Sequence, residues 1–249
     1  MNLKLSVFII TLNEERIIEE CLKKLHWVNE IVIVDSGSTD KTIEICKKYN
    51  TKIFFNKFEG FGKQKQFALN QTQNNWVLSL DADEVLTDSL ISEIILSIDK
   101  NQQEVNGYFI KRKMVFLDTI FHFGSESNRR ILRLFNKKFG KFSIDDVHEE
   151  VILTGATKNL RNHFLHYSYA SIQDFILKLN SYTQLGAKQK FNKRKKYNFL
   201  LIIVKTKFEF FKKYFIELNF LNGSGGFYWS LLSSFSTFIK CMKTNEFYK

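Results

Sequence analysis

The chain has 249 residues, 44% of them apolar, 26 of them Phe and none of them Pro. That length supports one large α/β domain, or one domain with an appendage, around a sizeable core. The net charge of +11 is uneven: residues 1–100 hold 12 Lys and Arg against 15 Asp and Glu, whereas Lys188–Lys213 carries ten basic residues and one acid, Glu209, so the partner of the basic half is a polyanion.

Cys21, Cys46 and Cys241 are scattered and odd in number, which excludes a disulfide framework or a zinc spacing and fits a reducing compartment. The opening run MNLKLSVFIITLNEE meets acids too early for a signal peptide and reads as a first buried strand of a cytoplasmic protein. From there strands and helices alternate. Strands are expected at Leu5–Thr11, Glu30–Asp35, Lys52–Phe55 and Trp76–Asp81. Helices are expected at Glu15–Leu25, Asp40–Tyr49 (begun by Ser38 or Thr39), Lys63–Gln71 and Ser89–Lys100 (capped by Thr87 or Asp88). The strands are continuous apolar runs, as in a parallel sheet covered on both faces. Ligands of such sheets bind at the carboxyl ends of the strands.

Beyond residue 107 the pattern loosens. Strands are expected at Tyr108–Lys113, Ile131–Asn136, Glu149–Leu153 and Phe164–Tyr169, then a long helix at Ser171–Phe191 and apolar segments at Phe199–Leu218 and Gly226–Met242. Six charges interrupt Phe199–Leu218, and Phe220–Ile239 holds three Gly and five Ser, so neither reads as a good transmembrane span. Aromatics beside lysines suit helices lying in a membrane interface; a packed helical subdomain is the plainer alternative. The expected division is a catalytic domain at 1–170 and a basic helical extension at 171–249.

Four strand-end or loop segments carry polar chemistry: Thr11-Leu12-Asn13-Glu14-Glu15, Asp35-Ser36-Gly37-Ser38, Gly60-Phe61-Gly62-Lys63-Gln64-Lys65 and Asp81-Ala82-Asp83-Glu84. In an extended chain Asp81 and Asp83 point the same way, so both can face one Mg²⁺ or Mn²⁺, which prefers oxygen ligands and shares them with phosphates. Asp35 can accept from a nucleobase, and Lys63 or Lys65 can meet phosphate. Each segment taken alone also reads as an N-cap, a turn or a solvated loop.

In this order the motifs SVFIITLNEE, EIVIVDSGSTDKT, GFGKQKQFAL and NNWVLSLDADEVL resemble the inverting glycosyltransferase family 2. The resemblance implies a GT-A type, doubly wound, mostly parallel sheet flanked by helices. It implies a donor pocket lined by Thr11, Asn13, Glu14, Asp35 and Lys65, with Asp81 and Asp83 on the metal and diphosphate. RLF at Arg133, VHEE at Val147–Glu150 and LHYSY at Leu165–Tyr169 look like the subgroup of bacterial lipopolysaccharide-core glucosyltransferases; the match is looser at Phe116–Arg130.

That likeness implies transfer of a hexose from a nucleoside-diphosphate sugar, UDP-linked by expectation, to a lipid-linked or lipopolysaccharide-core glycan. The enzyme is then expected peripherally at the cytoplasmic face of the inner membrane, with no nucleic acid partner. Inversion needs one general base. Glu149 is the candidate, with Asp146 and Glu150 behind it; His148 reads as a base, a diphosphate or acceptor contact or a structural histidine, and His166 and Arg133 are candidate diphosphate or acceptor contacts. A nucleotidyltransferase is the rival enzyme, but Thr-Leu-Asn-Glu-Glu stands where its Gly-rich basic loop belongs. A non-enzymatic basic protein bound to membrane or nucleic acid is the other rival.

Overall fold

The computed structural model describes residues 3–100, 105–143, 150–169 and 171–248. It divides into two compact units, Met1–Arg112 with Arg129–His166, and Lys113–Asn128 with Tyr167–Lys249.

The first unit begins with the expected alternation: β1 (Leu5–Thr11), α1 (Ile18–Lys23), β2 (Glu30–Asp35), α2 (Thr42–Cys46), β3 (Thr51–Phe55), α3 (Phe61–Gln71) and β4 (Trp76–Asp81). A short β5 (Glu84–Leu86) and α4 (Asp88–Asp99) follow, α4 capped by the Thr87 hydroxyl accepting from the Leu90 N–H. Pairing is parallel through β3-β2-β1-β4, the crossover topology that α1, α2 and α3 impose.

The sheet then continues as β8 (Arg130–Asn136), β6 (Gly107–Phe116), β11 (Thr157–Tyr169) and β5. β8 is antiparallel to β4 and to β6, and β11 to β5. The sheet is therefore mixed, because the chain after α4 returns without crossover helices. A separate ribbon pairs β9 (Gly140–Phe142) with β10 (Val151–Leu153).

Alternation along each central strand feeds two cores. Leu5, Val7 and Ile9 of β1, with Ile31 and Ile33 of β2, meet Ile18 and Leu22 of α1 and Leu90 and Ile94 of α4. Phe8, Ile10, Val32 and Val34 meet Ala68 and Leu69 of α3 and Phe142. Both faces are thus covered, and each fully buried Leu, Ile or Phe contributes roughly 1.5–3 kcal/mol. Glu30 opens β2 at the amino end of the sheet, where Lys52 Nζ and the Gln73 N–H hold it at 2.7 and 2.8 Å. The acid at that end is structural, tied to the neighbouring strand and to the segment before β4.

The second unit contains the end of β6, its hairpin partner β7 (Thr119–Ile120), and helices α5 (Ile172–Asn192), α6 (Phe199–Phe211) and α7 (Gly223–Glu246). Phe116, Phe121, Phe175 and Trp229 form its core. Gly226, Ser230 and Ser234 lie four apart on the buried face of α7, and a Cβ on Gly226 would meet the Asn219 carbonyl oxygen at 1.8 Å. The small residues that weaken Phe220–Ile239 as a membrane span are therefore a packing stripe. Only Ile202 of α6 is buried, whereas Phe199, Leu200, Val204, Phe208 and Phe211 are exposed. Among the described residues no helix is long and apolar enough to cross a membrane.

Candidate active site

β1 and β2 lie side by side with Thr11 opposite Asp35, so the loops after them meet. Asn13 occupies the left-handed region at φ 57°, which its short polar side chain tolerates. Its Oδ1 accepts from the Thr39 N–H at 2.8 Å, and its own N–H donates to Ser38 Oγ at 2.9 Å. The Glu14 N–H donates to Thr42 Oγ1 at 2.8 Å. Asp35 Oδ2 accepts from the N–H groups of Gly37 and Ser38 at 2.8 and 2.9 Å, and Oδ1 from the Ser38 hydroxyl at 2.5 Å. The turn thus fixes this carboxylate before any ligand arrives. Thr11 is buried, and among the described residues its hydroxyl has no hydrogen-bond partner. Such an atom at a strand end is open to a ligand.

β4 ends at Asp81, and Ala82 and Asp83 form a turn into β5. Asp83 is therefore not on an extended strand, and the alternation expected of Asp81 and Asp83 does not apply. Asp81 faces two cations: Lys65 Nζ at 3.0 Å and Arg133 at 2.7 Å. Lys65 is 3% and Arg133 6% exposed, so neither charge is diluted by water. Burial opposes ionisation of Asp81, but Arg133 and Lys65 outweigh it and hold the carboxyl well below the usual range.

Arg133 also donates to Glu84 Oε1 at 2.5 Å, and Glu84 Oε2 accepts from the Asp81 N–H at 3.1 Å. Burial, with Asp81 nearby, pushes the Glu84 pKa up against the pull of Arg133. Asp83 turns instead to His166, whose Nε2 lies 3.2 Å from its Oδ2. Burial disfavours the imidazolium, yet the Asp83 charge raises the His166 pKa above its ordinary value.

Long-range pairing delivers Arg133 and His166. His166 stands opposite Glu84 in the β11–β5 ladder. On β8 the register passes from Leu132 opposite Phe109 to Leu134 opposite Tyr108, leaving Arg133 as the extra residue of a bulge. Bulges re-aim side chains in this way beside active sites. A cavity of about 350 Å³ opens here, and Lys65, Asp81, Glu84, Arg133 and His166 line it together with Arg112, Arg129, Arg130 and Glu150.

The structure thus brings together Lys65, Asp81, Asp83, Arg133 and His166, and separately Thr11, Asn13, Glu14 and Asp35. Glu149, Asp146 and His148 lie outside the described residues. Sequence reasoning missed Glu84, visible only as the third acid of Asp-Ala-Asp-Glu, and Arg112, Arg129 and Arg130 in the lining of the cavity. It also missed Gln64, whose buried amide donates to Ser36 Oγ at 3.0 Å and to the Asn56 carbonyl at 3.1 Å. Among the described residues no three His, Cys, Asp or Glu side chains cluster as a metal site.

The carboxylates and cations converge at the carboxyl ends of the strands, where α/β sheets bind their ligands. The family model for glycosyl transferase family 2 matches residues 6–159, and the chain belongs to that family. It is 31% identical to an uncharacterised glycosyltransferase of Rickettsia typhi, over 98% of this chain and 87% of that one. It is also 31% identical to the lipopolysaccharide core biosynthesis glycosyltransferase LpsC of Rhizobium meliloti, over 97% of this chain and 92% of the relative. A solved structure of S. aureus TarS 1–349 aligns over 98% of this chain and 90% of its own, at 18% identity and a TM-score of 0.48.

Proposed function

We propose that this family 2 glycosyltransferase moves a hexose, with inversion, from a UDP-sugar to a hydroxyl of a lipid-linked or lipopolysaccharide-core glycan, with Mg²⁺ or Mn²⁺. The observation that carries the reading is the convergence of Asp83 and His166, 3.2 Å apart, beside the Lys65–Asp81–Arg133 cluster. The likeness to LpsC, a lipopolysaccharide core biosynthesis glycosyltransferase, supports the class of acceptor.

The donor set fits a divalent cation. Asp83 and His166 offer one carboxylate and one imidazole nitrogen, and a cation held by two side chains completes its shell with diphosphate oxygens and water. Asp81, already shared between Lys65 and Arg133, instead fixes those two cations beside the diphosphate. A bound cation would supply charge neutralisation for the leaving group. Thr11, Asn13, Glu14 and Asp35 are assigned to the nucleoside, with the Thr11 hydroxyl free to meet it. Glu149 remains the proposed base, with Asp146, Glu150 and His148 as its rivals.

Residence at the cytoplasmic face of the inner membrane rests on the exposed Phe199, Leu200, Phe208, Phe211 and Phe215 beside Lys205, Lys207 and Lys212. Purified protein incubated with a panel of nucleotide sugars and Mn²⁺ is expected to release UDP, and EDTA to stop it. Asp83→Asn is expected to abolish release and to remove the metal dependence of UDP binding while the melting temperature holds. Wild-type turnover in that variant would sink the assignment.

A further inference from the structure

We infer that Gln64 is a positioning residue for the donor nucleoside: it acts through Ser36 to hold the Asp35 turn at a fixed spacing from the diphosphate end of the site. This deepens the transferase reading and rests on it. α3 follows β3 and runs back along the parallel half of the sheet, so its first turns stand at the carboxyl ends of the strands. Ala68 and Leu69 on its buried face join the core beside Phe8 and Val32. One turn earlier the same face carries Gln64 and Lys65, 1% and 3% exposed. Apolar side chains there would continue the core without any polar group to satisfy.

Each of these two residues reaches a different part of the site. Lys65 Nζ lies 3.0 Å from Asp81. Gln64 Nε2 donates to Ser36 Oγ at 3.0 Å and to the Asn56 carbonyl at 3.1 Å, and its Oε1 accepts from Asn56 Nδ2 at 2.8 Å. Both N–H groups of the amide and its carbonyl are thus engaged. Ser36 is held from the other side by β1, its N–H donating to the Thr11 carbonyl at 3.0 Å, and the Asn56 N–H donates to the Asp35 carbonyl at 3.0 Å. The loops after β2 and β3 are therefore tied to one side chain of α3. The hydrogen bonds inside the Asp35 turn fix its carboxylate to its own backbone, wherever that turn stands. Gln64 fixes where it stands. Lys65 is the next residue of the same helix, about 1.5 Å further along the axis, so the nucleoside and diphosphate contacts keep one spacing. Without the amide, Ser36 Oγ loses this donor and the turn is free to shift against Lys65 and Asp81.

The test is calorimetric, on the full chain, with UDP and with inorganic pyrophosphate, each in the presence of Mn²⁺. Gln64→Leu nearly keeps the side-chain volume and removes the amide. Ser36→Ala removes only the acceptor on the turn and leaves the Gln64–Asn56 pair in place. Each variant is expected to weaken UDP by about tenfold, the effect of one lost buried hydrogen bond, and to leave pyrophosphate affinity within about twofold. The two losses should not add in the double variant, since the residues act through one contact. Unchanged UDP affinity, an equal loss of UDP and pyrophosphate, or additive losses would each overturn the inference and leave the donor reading standing. If Gln64→Leu fails to fold, the first two of those outcomes are read from Ser36→Ala alone. Pyrophosphate binding without any UDP binding by the wild type would instead remove the donor reading, and this inference with it.

Discussion

The two halves of the first unit's sheet supply charge by different routes. In the parallel half, Asp35 is held by the N–H groups of its own turn, two and three residues on. Asp81 closes a strand written in six consecutive residues. In the antiparallel half, Arg133 reaches Asp81 from 52 residues away, through a strand register and a bulge, and His166 reaches Asp83 through the β11–β5 ladder. Acids set by local turns tolerate changes elsewhere in the chain. Side chains set by register do not, because a one-residue slip turns each of them to the other face. On the proposed reading the difference is also one of labour: the parallel half handles the donor, and the antiparallel half closes the site and meets the acceptor.

The sharpest way to break that division is Glu149→Gln. Glu149 lies in sequence between β9 and β10, and on the proposed reading it serves the acceptor. Its loss is expected to cut single-turnover transfer by roughly 10²–10⁴-fold, the range for a missing general base. UDP binding with Mn²⁺ should change less than about twofold, since a group acting only in the transition state leaves ground-state binding alone. If UDP affinity fell with turnover, Glu149 would belong to the donor half. If turnover held, Asp146 or Glu150 would inherit the role.

A second, smaller effect tests the dependence of the acids on long-range cations. Arg133→Met leaves Asp81 and Glu84 short of a buried partner, and removing one member of a buried ion cluster costs about 3–5 kcal/mol. Adding Glu84→Gln to Arg133→Met should recover part of that loss, because it removes the carboxylate stranded by the first change. Urea denaturation of the three proteins measures both steps. An Arg133→Met midpoint equal to wild type would mean that Lys65 alone suffices and that the bulge serves only catalysis.

The same contrast explains what was legible in the sequence. β1, β2 and β4 show as unbroken apolar runs, and α4 announces itself by the Thr87 cap, so their bounds follow from neighbouring residues. β5, β7 and β9 hold three, two and three residues, too few to show any period. Glu84 looked like one more acid before a helix. It is buried because Arg133 arrives from 49 residues away, a pairing no local pattern carries. The hairpin Lys113–Asn128 joins the helical unit through partners equally remote: Asn222 Oδ1 accepts from the His122 and Phe123 N–H groups, 100 and 99 residues away. The small-residue stripe of α7 was visible in the sequence, but its four-residue spacing carries the meaning and its composition does not.

Glu217 in the second unit offers a counterpart of the Asp81 cluster with one partner on its own helical turn and one remote, and the smallest of the expected effects. Its partners are Lys213, one turn earlier at 3.1 Å, and the Ser125 hydroxyl, which donates to it at 2.7 Å; Lys213 also holds Glu126 at 3.1 Å. Burial alone would raise the Glu217 pKa, but the Ser125 and Lys213 contacts bring it below the ordinary value. A carboxylate with a depressed folded pKa contributes stability that is fully present above its unfolded pKa, about 4.3, and is lost as pH falls through the lower folded value. The gap in urea midpoint between wild type and Glu217→Gln should therefore be flat from neutral pH down to about pH 5 and narrow below about pH 4. A gap independent of pH would mean that Glu217 acts there by shape and neutral hydrogen bonding. The acid response of the protein would then fall to carboxylates held across strands, Asp81 first among them.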